Sequence, residues 1–414
     1  METKTFKELN LAEKVYRAVK AQKYEIPTPI QAEAIPHLLK GHDLIGCAQT
    51  GTGKTAAFAL PILNQLSINR IKAKPRSARV LVLTPTRELA AQVSESFRTY
   101  GKFLGLSHAL VYGGVKQHSQ VKALSRGVDI LIATPGRLLD LMRQGYLKLN
   151  QIEVFVLDEA DRMLDMGFIP DIRKVISELP KKRQALLFSA TMAPQIRQLA
   201  ETLLNDPVKI TVKSELVTAE NIDERIHFVD DKDKRNLLSE VLGKPDVERA
   251  LVFTKTKNGA NRLAKHLGRR ANAIHGNKSQ SARLSALQDF RTGRCRVLVA
   301  TDVASRGIDV TGITHVINYD LPREAESYVH RIGRTARAGA SGSAISFCGV
   351  GDKLLLRNIE RLLKRSVPKC DDHSFHSDLI AKAGIQPREG GRPRGRGAGR
   401  GRGPRRFGNR SRRA

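Results

Sequence analysis

Short runs of apolar, largely β-branched residues recur along the chain and alternate with segments of helical periodicity. Nine such runs lie between Asp43 and about Ser346: DLIGCA, RVLVLTP, DILIATP, VFVLDEA, QALLFSA, RALVFTK, RVLVATD, HVINYDLP and SAISF. Runs without polar alternation are typical of strands buried on both faces, as in a parallel sheet covered by helices. The pattern therefore predicts an α/β fold.

The two halves of this pattern resemble each other. LVLTPTRELA from Leu81 is similar to LVFTKTKNGA from Leu251, and ILIATPGR from Ile130 is similar to VLVATDVA from Val297. Between them, VYGGVKQ in the first half and IHGNKSQ in the second stand in the same order. These ordered similarities at nearly one offset predict two similar tandem domains.

Changes in composition set the predicted boundaries. We predict a first domain over residues 1–206, a polar linker over 207–218, a second domain over 219–367 and a tail over 368–414. The end of the tail is rich in Arg and Gly and contains too few apolar residues to bury a core. The tail is therefore predicted to be disordered.

The charge of the chain indicates a polyanionic partner. The 414 residues include 71 Lys and Arg against 41 Asp and Glu, which gives a net charge of +30. Such an excess favours nucleic acid or an anionic membrane surface. The apolar runs are too short to span a bilayer, and METKTFKELN lacks a signal-peptide core, so we expect a cytoplasmic protein that does not act at a membrane. The four cysteines lack zinc-binding spacing and are predicted to be reduced thiols.

A candidate phosphate-binding loop follows the first predicted strand. AQTGTGKT fits the pattern G-x-x-x-x-G-K-[ST], with alanine in the first small position, and precedes the helical pattern AAFALPILNQL. In such a loop, N–H groups at a helix N-terminus wrap the phosphates, the lysine neutralises them and the hydroxyl can hold Mg²⁺. The alternative is a glycine-rich turn with an exposed lysine. The predicted nucleotide contacts are Ala48, Gln49, Thr50, Gly51, Thr52, Gly53, Lys54 and Thr55.

Two adjacent acids follow the predicted strand VFVL. In a parallel sheet, a carboxylate at this strand end faces the same crevice as the phosphate loop. Asp158 is therefore the candidate Mg²⁺ partner, together with Thr55, and Glu159 is the candidate for activating a water molecule. The alternative reading, acids that cap the next helix, fits Asp161 better than either of these residues.

Three arginines in HRIGRTARAG complete the predicted nucleotide site. Arg331, Arg334 and Arg337 recur at three-residue steps, which aligns them on one side of a helix or tight turn. Arg334 and Arg337 are candidate arginine fingers. The second domain lacks a phosphate-loop sequence of its own, so we predict a single nucleotide site between the domains. The alternative is a solvated basic face.

Eight short motifs follow one another along the chain: AQTGTGKT, PTRELA, GG, TPGR, DEAD, SAT, ATDVASRGID and HRIGRTARAG. In this order they resemble the motifs of the DEAD-box RNA helicases. The resemblance extends from about Phe6 to Pro368, and within the family the chain is similar to the bacterial RhlE-like group. It implies two RecA-like domains, with ATP and Mg²⁺ as ligands.

The resemblance also implies contacts outside the phosphate loop. YEIPTPIQ is similar to the family's adenine-binding Q motif, in which Gln31 would read the adenine edge and Tyr24 would stack on the ring. Lys23 stands where the family usually has glycine, which puts the local backbone path in doubt. Asp309 resembles the family's ribose contact. From the residues alone, Gln31 is better explained as part of a helix start.

Family members place a further set of motif residues on RNA or between the two sites. Ser189, Thr191 and His330 would couple nucleotide to RNA. The loop residues are suited to phosphate contacts, so RNA binding is expected to be independent of sequence. The implied RNA contacts are Pro85, Thr86, Arg87, Gly113, Gly114, Thr134, Pro135, Gly136 and Arg137 in the first domain, and Thr254, Gly276, Arg283 and Thr301 in the second.

The sequence thus predicts an ATP-dependent RNA helicase that separates short duplexes or remodels RNA–protein complexes. We expect a monomer that acts on ribosomal precursors or in RNA decay, with a tail that tethers RNA or, alternatively, contacts a membrane surface. Three other functions use much of the same sequence: an ATP-gated RNA clamp, a DNA helicase and a protein-remodelling ATPase.

Overall fold

The computed structural model describes residues 5–48, 51–212, 222–302, 310, 312–336 and 341–382. Within these residues the chain forms two parallel sheets covered by helices. The strands are β1 Leu44–Cys47, β2 Ala78–Leu83, β3 His108–Val111, β4 Val128–Ala133, β5 Val154–Leu157, β6 Gln184–Ser189, β7 Val208–Thr211, β8 Ile222–Phe228, β9 Ala250–Phe253, β10 Ala271–Ile274, β11 Val297–Ala300, β12 His315–Asn318 and β13 Gly342–Cys348.

Helices connect most of these strands, as parallel pairing requires. No helix in the described part of the chain is long and apolar enough to span a bilayer. Three short 3₁₀ segments cover Phe6–Leu9, Gly268–Arg270 and Val350–Asp352. The α-helices are α1 Glu13–Ala21, α2 Pro29–Leu39, α3 Lys54–Ile68, α4 Arg87–Tyr100, α5 His118–Leu124, α6 Pro135–Arg143, α7 Ala160–Asp165, α8 Ile169–Ser177, α9 Pro194–Leu203, α10 Lys234–Gly243, α11 Lys257–Leu267, α12 Gln280–Arg291, α13 Ala325–Ile332, α14 Lys353–Leu363 and α15 Asp378–Lys382.

The two sheets repeat one topology. The first has the order β3-β4-β2-β5-β6-β1-β7 and the second has the order β10-β11-β9-β12-β13-β8. Numbered within each domain, both read 3-4-2-5-6-1, and the first sheet adds β7 at its edge. The described strand pairs are parallel. The prediction of two similar parallel-sheet domains is therefore confirmed.

The repeat extends to single hydrogen bonds at the strand ends. The Thr84 amide donates to the Ala133 carbonyl at 2.9 Å, and the Thr254 amide donates to the Ala300 carbonyl at the same distance. The following threonines, Thr86 and Thr256, each cap the next helix by accepting a backbone N–H, at 3.2 and 3.0 Å. A threonine N-cap satisfies a donor that the first helical turn leaves free. The similar sequences thus produce matching strand-to-helix turns.

Apolar side chains cover both faces of each sheet. In the first domain one core packs α2, α3 and α4 against β1 and β2, and a second core lies on the opposite face under α6, α8 and α9. In the second domain the corresponding cores lie under α10 and α11 on one face and under α12 and α14 on the other. Burial on both faces explains why the interior strands read as unbroken apolar runs.

Two predicted boundaries are wrong. The predicted linker begins within the first sheet, because Val208–Thr211 forms β7 and pairs with β1. The predicted tail begins within the second domain, because Lys369 bridges Ile226 and Ile380 is 5% exposed. Apolar residues, including Phe375 against the core, hold this segment on the domain. Residues 213–218 and 383–414 lie outside the described residues.

Candidate nucleotide and RNA site

The phosphate loop lies at the carboxyl end of β1 and leads directly into α3. Gly53 is the N-cap of α3 with φ 92°, a left-handed conformation that favours glycine. A side chain at this position would also overlap the Gln31 amide. The Lys54 ammonium is buried and donates to the Ala48 carbonyl at 2.7 Å. Of the eight predicted loop contacts, Gln49 and Thr50 lie outside the described residues.

Gln31 connects the Q motif to this loop. Its Oε1 accepts from the Thr28 amide at 3.0 Å at the start of α2, so the helix-start reading of this residue is confirmed. Its Nε2 donates to the Gly53 carbonyl at 3.1 Å. The adenine contact predicted for Gln31 stays a prediction, but the side chain already touches the phosphate loop. The residue that caps α2 thus also anchors the phosphate loop.

Tyr24 lies at the surface beside Gln31's helix. The ring is 44% exposed and stacks on Phe6, with 6.4 Å between ring centroids and 25° between planes. The preceding residue, Lys23, has φ 59°. This is the left-handed conformation that glycine adopts readily, so the lysine keeps the backbone path of a glycine turn and carries the steric cost. The Q-motif turn is therefore formed despite the departure from the family pattern.

The acid pair follows β5 at the same sheet edge. Asp158 is 2% exposed, and its Oδ1 has no hydrogen-bond partner within the described residues. Burial and then the neighbouring Glu159 charge raise the pKa of Asp158 to about 7, while Lys54 opposes the shift. A buried carboxylate oxygen without a partner suits a cation. Thr55, the other predicted Mg²⁺ residue, follows Lys54 in α3.

Glu159 has a backbone conformation that is uncommon for its residue type. It precedes α7 with φ 56° and ψ 53°, and its Oε2 accepts from Arg162 Nη1 at 2.7 Å. A non-glycine residue keeps this strained conformation only where other contacts hold it, and such residues cluster at active sites. The ion pair with Arg162 is one such contact.

Asp161 links the acid pair to the SAT motif. Its Oδ2 accepts from the amides of Ala190 and Thr191, both at 3.0 Å. The Ser189 hydroxyl accepts from the Asp161 amide at 3.3 Å and donates to the Thr191 carbonyl at 2.7 Å. The sequence had suggested a capping role for Asp161. The structure gives it the more central part in joining these two motifs.

Two second-domain arginines line a small cavity together with Arg162, the partner of Glu159. Arg334 is 4% exposed and its Nε donates to the His330 carbonyl at 3.3 Å. Arg331 instead forms a bidentate ion pair with Asp302, at 2.5 and 2.7 Å. Arg337 and Asp309 lie outside the described residues. The cavity is lined by Phe253, Asp302, Ser327, His330, Arg331 and Arg334 from the second domain and Arg162 from the first.

The predicted first-domain RNA contacts gather at the ends of β2, β3 and β4. Gly114 has φ 77°, and a side chain there would overlap the Arg87 guanidinium. Arg137 donates to the Val115 carbonyl at 3.2 and 3.3 Å. Both arginines therefore lie against the GG loop, and Arg137 bonds to the residue that follows it. The other predicted contacts, Pro85, Thr86, Gly113, Thr134, Pro135 and Gly136, lie in the turns at this edge or at the starts of α4 and α6.

The second-domain set lies at the matching sheet edge. Thr254 follows β9, Gly276 follows β10 and Thr301 follows β11. Arg283 lies on α12, is 8% exposed, and pairs through Nη2 with Glu88 of the first domain at 2.9 Å. The structure thus uses Arg283 between domains, and its predicted RNA contact stays a prediction.

Glu88 is an interdomain residue that the sequence analysis missed. Its second carboxylate oxygen accepts from Gln280 Nε2 at 3.1 Å, so α12 contacts it twice. Glu88 is 3% exposed and lies in PTRELA beside the predicted RNA contacts. No local pattern in the sequence marks Glu88 for this role, because its partners Gln280 and Arg283 lie on α12 of the other domain.

The fold and site define a P-loop protein with two RecA-like domains. The DEAD/DEAH box helicase model matches residues 28–199, and the helicase conserved C-terminal domain model matches residues 233–339. The chain belongs to the DEAD-box ATP-dependent RNA helicases, enzymes that use ATP hydrolysis to act on RNA. The predictions of the fold, the family and ATP as substrate are confirmed.

Curated relatives support this assignment over most of the chain. DEAD-box ATP-dependent RNA helicase CshA of Bacillus cereus (strain ATCC 10987 / NRS 248) is 45% identical over 370 residues, which cover 89% of this chain and 70% of the relative. The protein of the same name from Geobacillus kaustophilus (strain HTA426) is 44% identical over 368 residues, covering 88% and 78%.

Solved structures agree in fold. Dbp5 of S. cerevisiae bound to RNA and ADP BeF3 is 33% identical, with a TM-score of 0.78 and coverage of 89% of this chain and 95% of that chain. A DEAD box protein from Methanococcus jannaschii is 40% identical, with a TM-score of 0.51 and coverage of 88% and 99%. The structure of this chain is therefore more similar overall to RNA-bound Dbp5, although the sequence is more similar to the Methanococcus protein.

Proposed function

We propose that ATP and RNA together close the two domains, and that the closed form holds one RNA strand in a shape that a duplex does not share. Local strand separation follows, and hydrolysis reopens the cleft and releases the strand. The observation that carries this proposal is the pair of interdomain contacts. One joins Glu88, beside the RNA loops, to Arg283, and the other places Arg162, beside the acid pair, in the arginine cavity. Both sites therefore depend on one conformational equilibrium.

In this proposal the nucleotide residues divide their work by position. Lys54 neutralises the outer phosphates, Glu159 orients and activates the attacking water, and Arg334 with Arg337 stabilises the charge that develops on the γ-phosphate. Charge stabilisation of this kind is worth roughly 10³- to 10⁵-fold in rate where arginine fingers operate. Completion of the site by the second domain makes hydrolysis conditional on closure.

Mg²⁺ fits the first-domain half of the site. Asp158 offers a buried carboxylate oxygen without a partner among the described residues, and the Thr55 hydroxyl follows the phosphate-loop lysine. We propose that these two residues hold the ion. Bound there, Mg²⁺ supplies positive charge that offsets the phosphate oxygens. Glycines, threonines and arginines at the strand ends bind the RNA backbone, so base sequence contributes little to binding.

ATPase rates with different nucleic acids test this function. We expect single-stranded RNA to stimulate hydrolysis far more than matched DNA, because DNA lacks the 2′-OH, and a short RNA duplex to be separated only with ATP. Equal stimulation by DNA would favour a DNA helicase. Stimulation without strand separation would favour an RNA clamp. A rate indifferent to both nucleic acids would favour a protein-remodelling ATPase.

Two substitutions separate binding from chemistry. Glu159→Gln keeps ATP binding and abolishes hydrolysis, because the water loses its activating carboxylate. Lys54→Ala weakens ATP binding itself, by on the order of 10- to 100-fold, through loss of a charge-assisted contact with the phosphates. Normal turnover by the Glu159→Gln protein would refute the assigned role.

We further propose an RhlE-like bacterial helicase that acts in the cytoplasm as a monomer, on ribosomal precursors or in RNA decay. The stretches VFTKTKNGANRLA, AIHGNKSQSAR and LLRNIERLLKRSVP support the subgroup. The net charge of +30 supports an RNA-rich substrate such as a ribosomal precursor. Crosslinking of the bound RNA in cells, followed by sequencing, would identify the substrate.

A further inference from the structure

A buried ion pair ties the catalytic acid to the helix that follows it. Arg162 Nη1 lies 2.7 Å from Glu159 Oε2, and both side chains are 5% exposed. The two residues are three positions apart across the start of α7, where Glu159 has a left-handed backbone. A strained backbone persists only where surrounding contacts hold it, and the ion pair with Arg162 is one of these contacts. The same ion pair orients the Glu159 carboxylate.

The backbone and the carboxylate of this turn are held by different residues. Asp161 fixes the backbone, through its bonds to the amides of Ala190 and Thr191. Arg162 contacts the carboxylate of Glu159 itself. This single bond is charge-assisted and both side chains are buried, so it is stronger than a neutral hydrogen bond and restricts where the carboxylate can point.

Arg162 also lies at the boundary with the second domain. It lines the cavity whose other walls are second-domain residues, among them Asp302, His330 and Arg334. The same guanidinium therefore contacts the acid on one side and faces the arginine-finger pocket on the other. The ion pair thus lies at the boundary between the two domains.

We propose that Arg162 is a positioning residue: it fixes the Glu159 carboxylate toward the attacking water and makes that orientation depend on closure of the second domain. The inference rests on the proposed function, in which Glu159 acts on water. It assigns the coupling between closure and chemistry to a side chain of the first domain, in addition to the arginines of the second.

Steady-state ATPase measurements at saturating RNA test this role. We expect Arg162→Gln to lower kcat by about 100-fold, the scale of loss for a catalytic group displaced by about 1 Å. The KM for ATP and the half-saturating RNA concentration should stay within about twofold, because Arg162 lies beside Glu159 and not in the phosphate loop. Arg162→Lys keeps the positive charge but carries it on a more flexible side chain, so it should recover part of the rate, to about 10-fold below wild type.

Two controls make the result interpretable. Arg173→Gln removes an exposed arginine from the neighbouring helix α8 and should leave every parameter unchanged. Melting temperature and binding of a fluorescent ADP analogue report whether each variant is folded. Since Arg162→Lys keeps the buried charge paired, it provides a folded variant even if Arg162→Gln is destabilised.

The outcomes distinguish failure of the positioning role of Arg162 from failure of the proposed function, in which Glu159 activates water. If Glu159→Gln abolishes hydrolysis while folded Arg162→Gln and Arg162→Lys turn over at the wild-type rate, the positioning role is refuted and the proposed function stands. A rise in KM with unchanged kcat would also overturn it, because that result assigns Arg162 to nucleotide binding. If Glu159→Gln turns over normally, the proposed function fails first.

Discussion

Lys54 and Lys234 begin equivalent helices in the two domains, and the ammonium groups of both are buried. Lys54 starts α3 after β1, and Lys234 starts α10 after β8, the strand in the same position of the repeated topology. Lys54 donates to a backbone carbonyl of the phosphate loop, at 2.7 Å from Ala48. Lys234 pairs with carboxylates instead, at 2.9 Å from Asp231 and 3.2 Å from Asp352. The second domain therefore keeps the lysine of the repeat but neutralises it internally.

We therefore expect substitution of Lys234 to lower stability and substitution of Lys54 to lower ATP affinity. Burial lowers the pKa of Lys234, but Asp352, Asp231 and Asp320 outweigh it, so the pKa lies above its ordinary value. Lys234→Met should lower the free energy of unfolding by about 2 kcal/mol. This is less than the loss expected on breaking a fully buried ion pair, because Asp231 is 81% exposed. That corresponds to a fall of about 4–8 °C in the melting temperature of the full chain, with unchanged ATP affinity. Lys54→Ala should weaken ATP binding and leave the melting temperature nearly unchanged.

Asp231→Asn provides the matched control for this pair. Its carboxylate is exposed, so its removal should cost less than about 0.5 kcal/mol. An ATP affinity lowered by Lys234→Met would contradict the interpretation, because it would give the second domain a phosphate contact.

Closure predicts an energetic coupling between Glu88 and Arg283. Each charge is buried against the other, so removal of either leaves an unpaired charge in the closed form. Glu88→Ala and Arg283→Ala should each raise the half-saturating RNA concentration for ATPase stimulation by about 10-fold or more, while ATP binding without RNA stays unchanged. The double variant should be little worse than either single variant, with a coupling energy on the order of 1–3 kcal/mol.

Glu95→Ala is the control on the same helix. Glu95 pairs with Arg98, and both side chains are more than half exposed, at 57% and 68%. This substitution should have no measurable effect on RNA stimulation. Strictly additive effects of Glu88→Ala and Arg283→Ala would indicate that the two side chains act independently of each other.

Sequence pattern predicted the interior of both sheets and missed their edges. All nine predicted apolar runs form strands. The four strands that the pattern missed are β3, β7, β8 and β10, and these are the two edges of each sheet. An edge strand is partly exposed and has one neighbour, so it carries polar residues such as His108 and Lys209. The same physical cause explains the boundary error at residue 208, because β7 reads as polar linker.

The candidate site was predictable where its chemistry is local. The phosphate loop and the acid pair combine residue type and spacing in one short segment, so the sequence alone identified Lys54 and Asp158. Glu88, Arg162 and Asp161 were missed because their roles depend on contacts with other motifs or with the other domain. Such contacts are set by the tertiary arrangement and leave no periodic signal in the chain.

Lys23 predicts a stabilising substitution. A non-glycine residue with φ 59° carries a steric cost of about 1–2 kcal/mol. Glycine removes this cost, but its greater freedom in the unfolded chain offsets part of the gain in stability. Lys23→Gly should therefore stabilise the protein by about 0.5–1 kcal/mol. A rise of about 1–3 °C in melting temperature would follow, with unchanged ADP affinity. Lys20→Gly, at an exposed position near the end of α1, should instead destabilise the protein.

Three histidine rings in contact predict that residues 369–382, the last described segment, bind the second domain in a pH-dependent way. The ring of His227 on β8 stacks on His373, with 4.7 Å between ring centroids, and His373 meets His376 edge-on at 5.5 Å. Both ring nitrogens of His373 and the Nδ1 atoms of His227 and His376 lack hydrogen-bond partners within the described residues. Two backbone bonds, from Cys370 to Ile226 and from Ser377 to Phe228, hold the segment to β8.

The charges around this cluster set the sign of the effect. Burial and then the nearby cations, among them His373, Lys244 and Arg225, lower the pKa of His227 to about 3. Burial and then His376 lower the pKa of His373, against Glu240 and Asp371. Asp371 and Asp378 lie 3.6 and 3.8 Å from the His376 ring nitrogens. With depressed values in the bound form, the contact is fully stable above the ordinary histidine pKa of about 6.5 and weakens as pH falls below it.

A single tryptophan can report this change, because the chain contains none. Phe375 packs against the second-domain core, so Phe375→Trp places the fluorophore in the bound segment. Release of the segment takes up as many as two protons, so its binding to the domain weakens by up to about 100-fold for each unit that the pH falls. We therefore expect a red shift of the tryptophan emission between pH 7 and pH 5. The same reporter with His227→Phe and His373→Phe keeps the stacked aromatic rings but not the titration, and its emission should stay constant. An identical titration in both proteins would place the pH sensitivity elsewhere, and constant emission in the histidine-containing reporter would show that the cluster tolerates protonation.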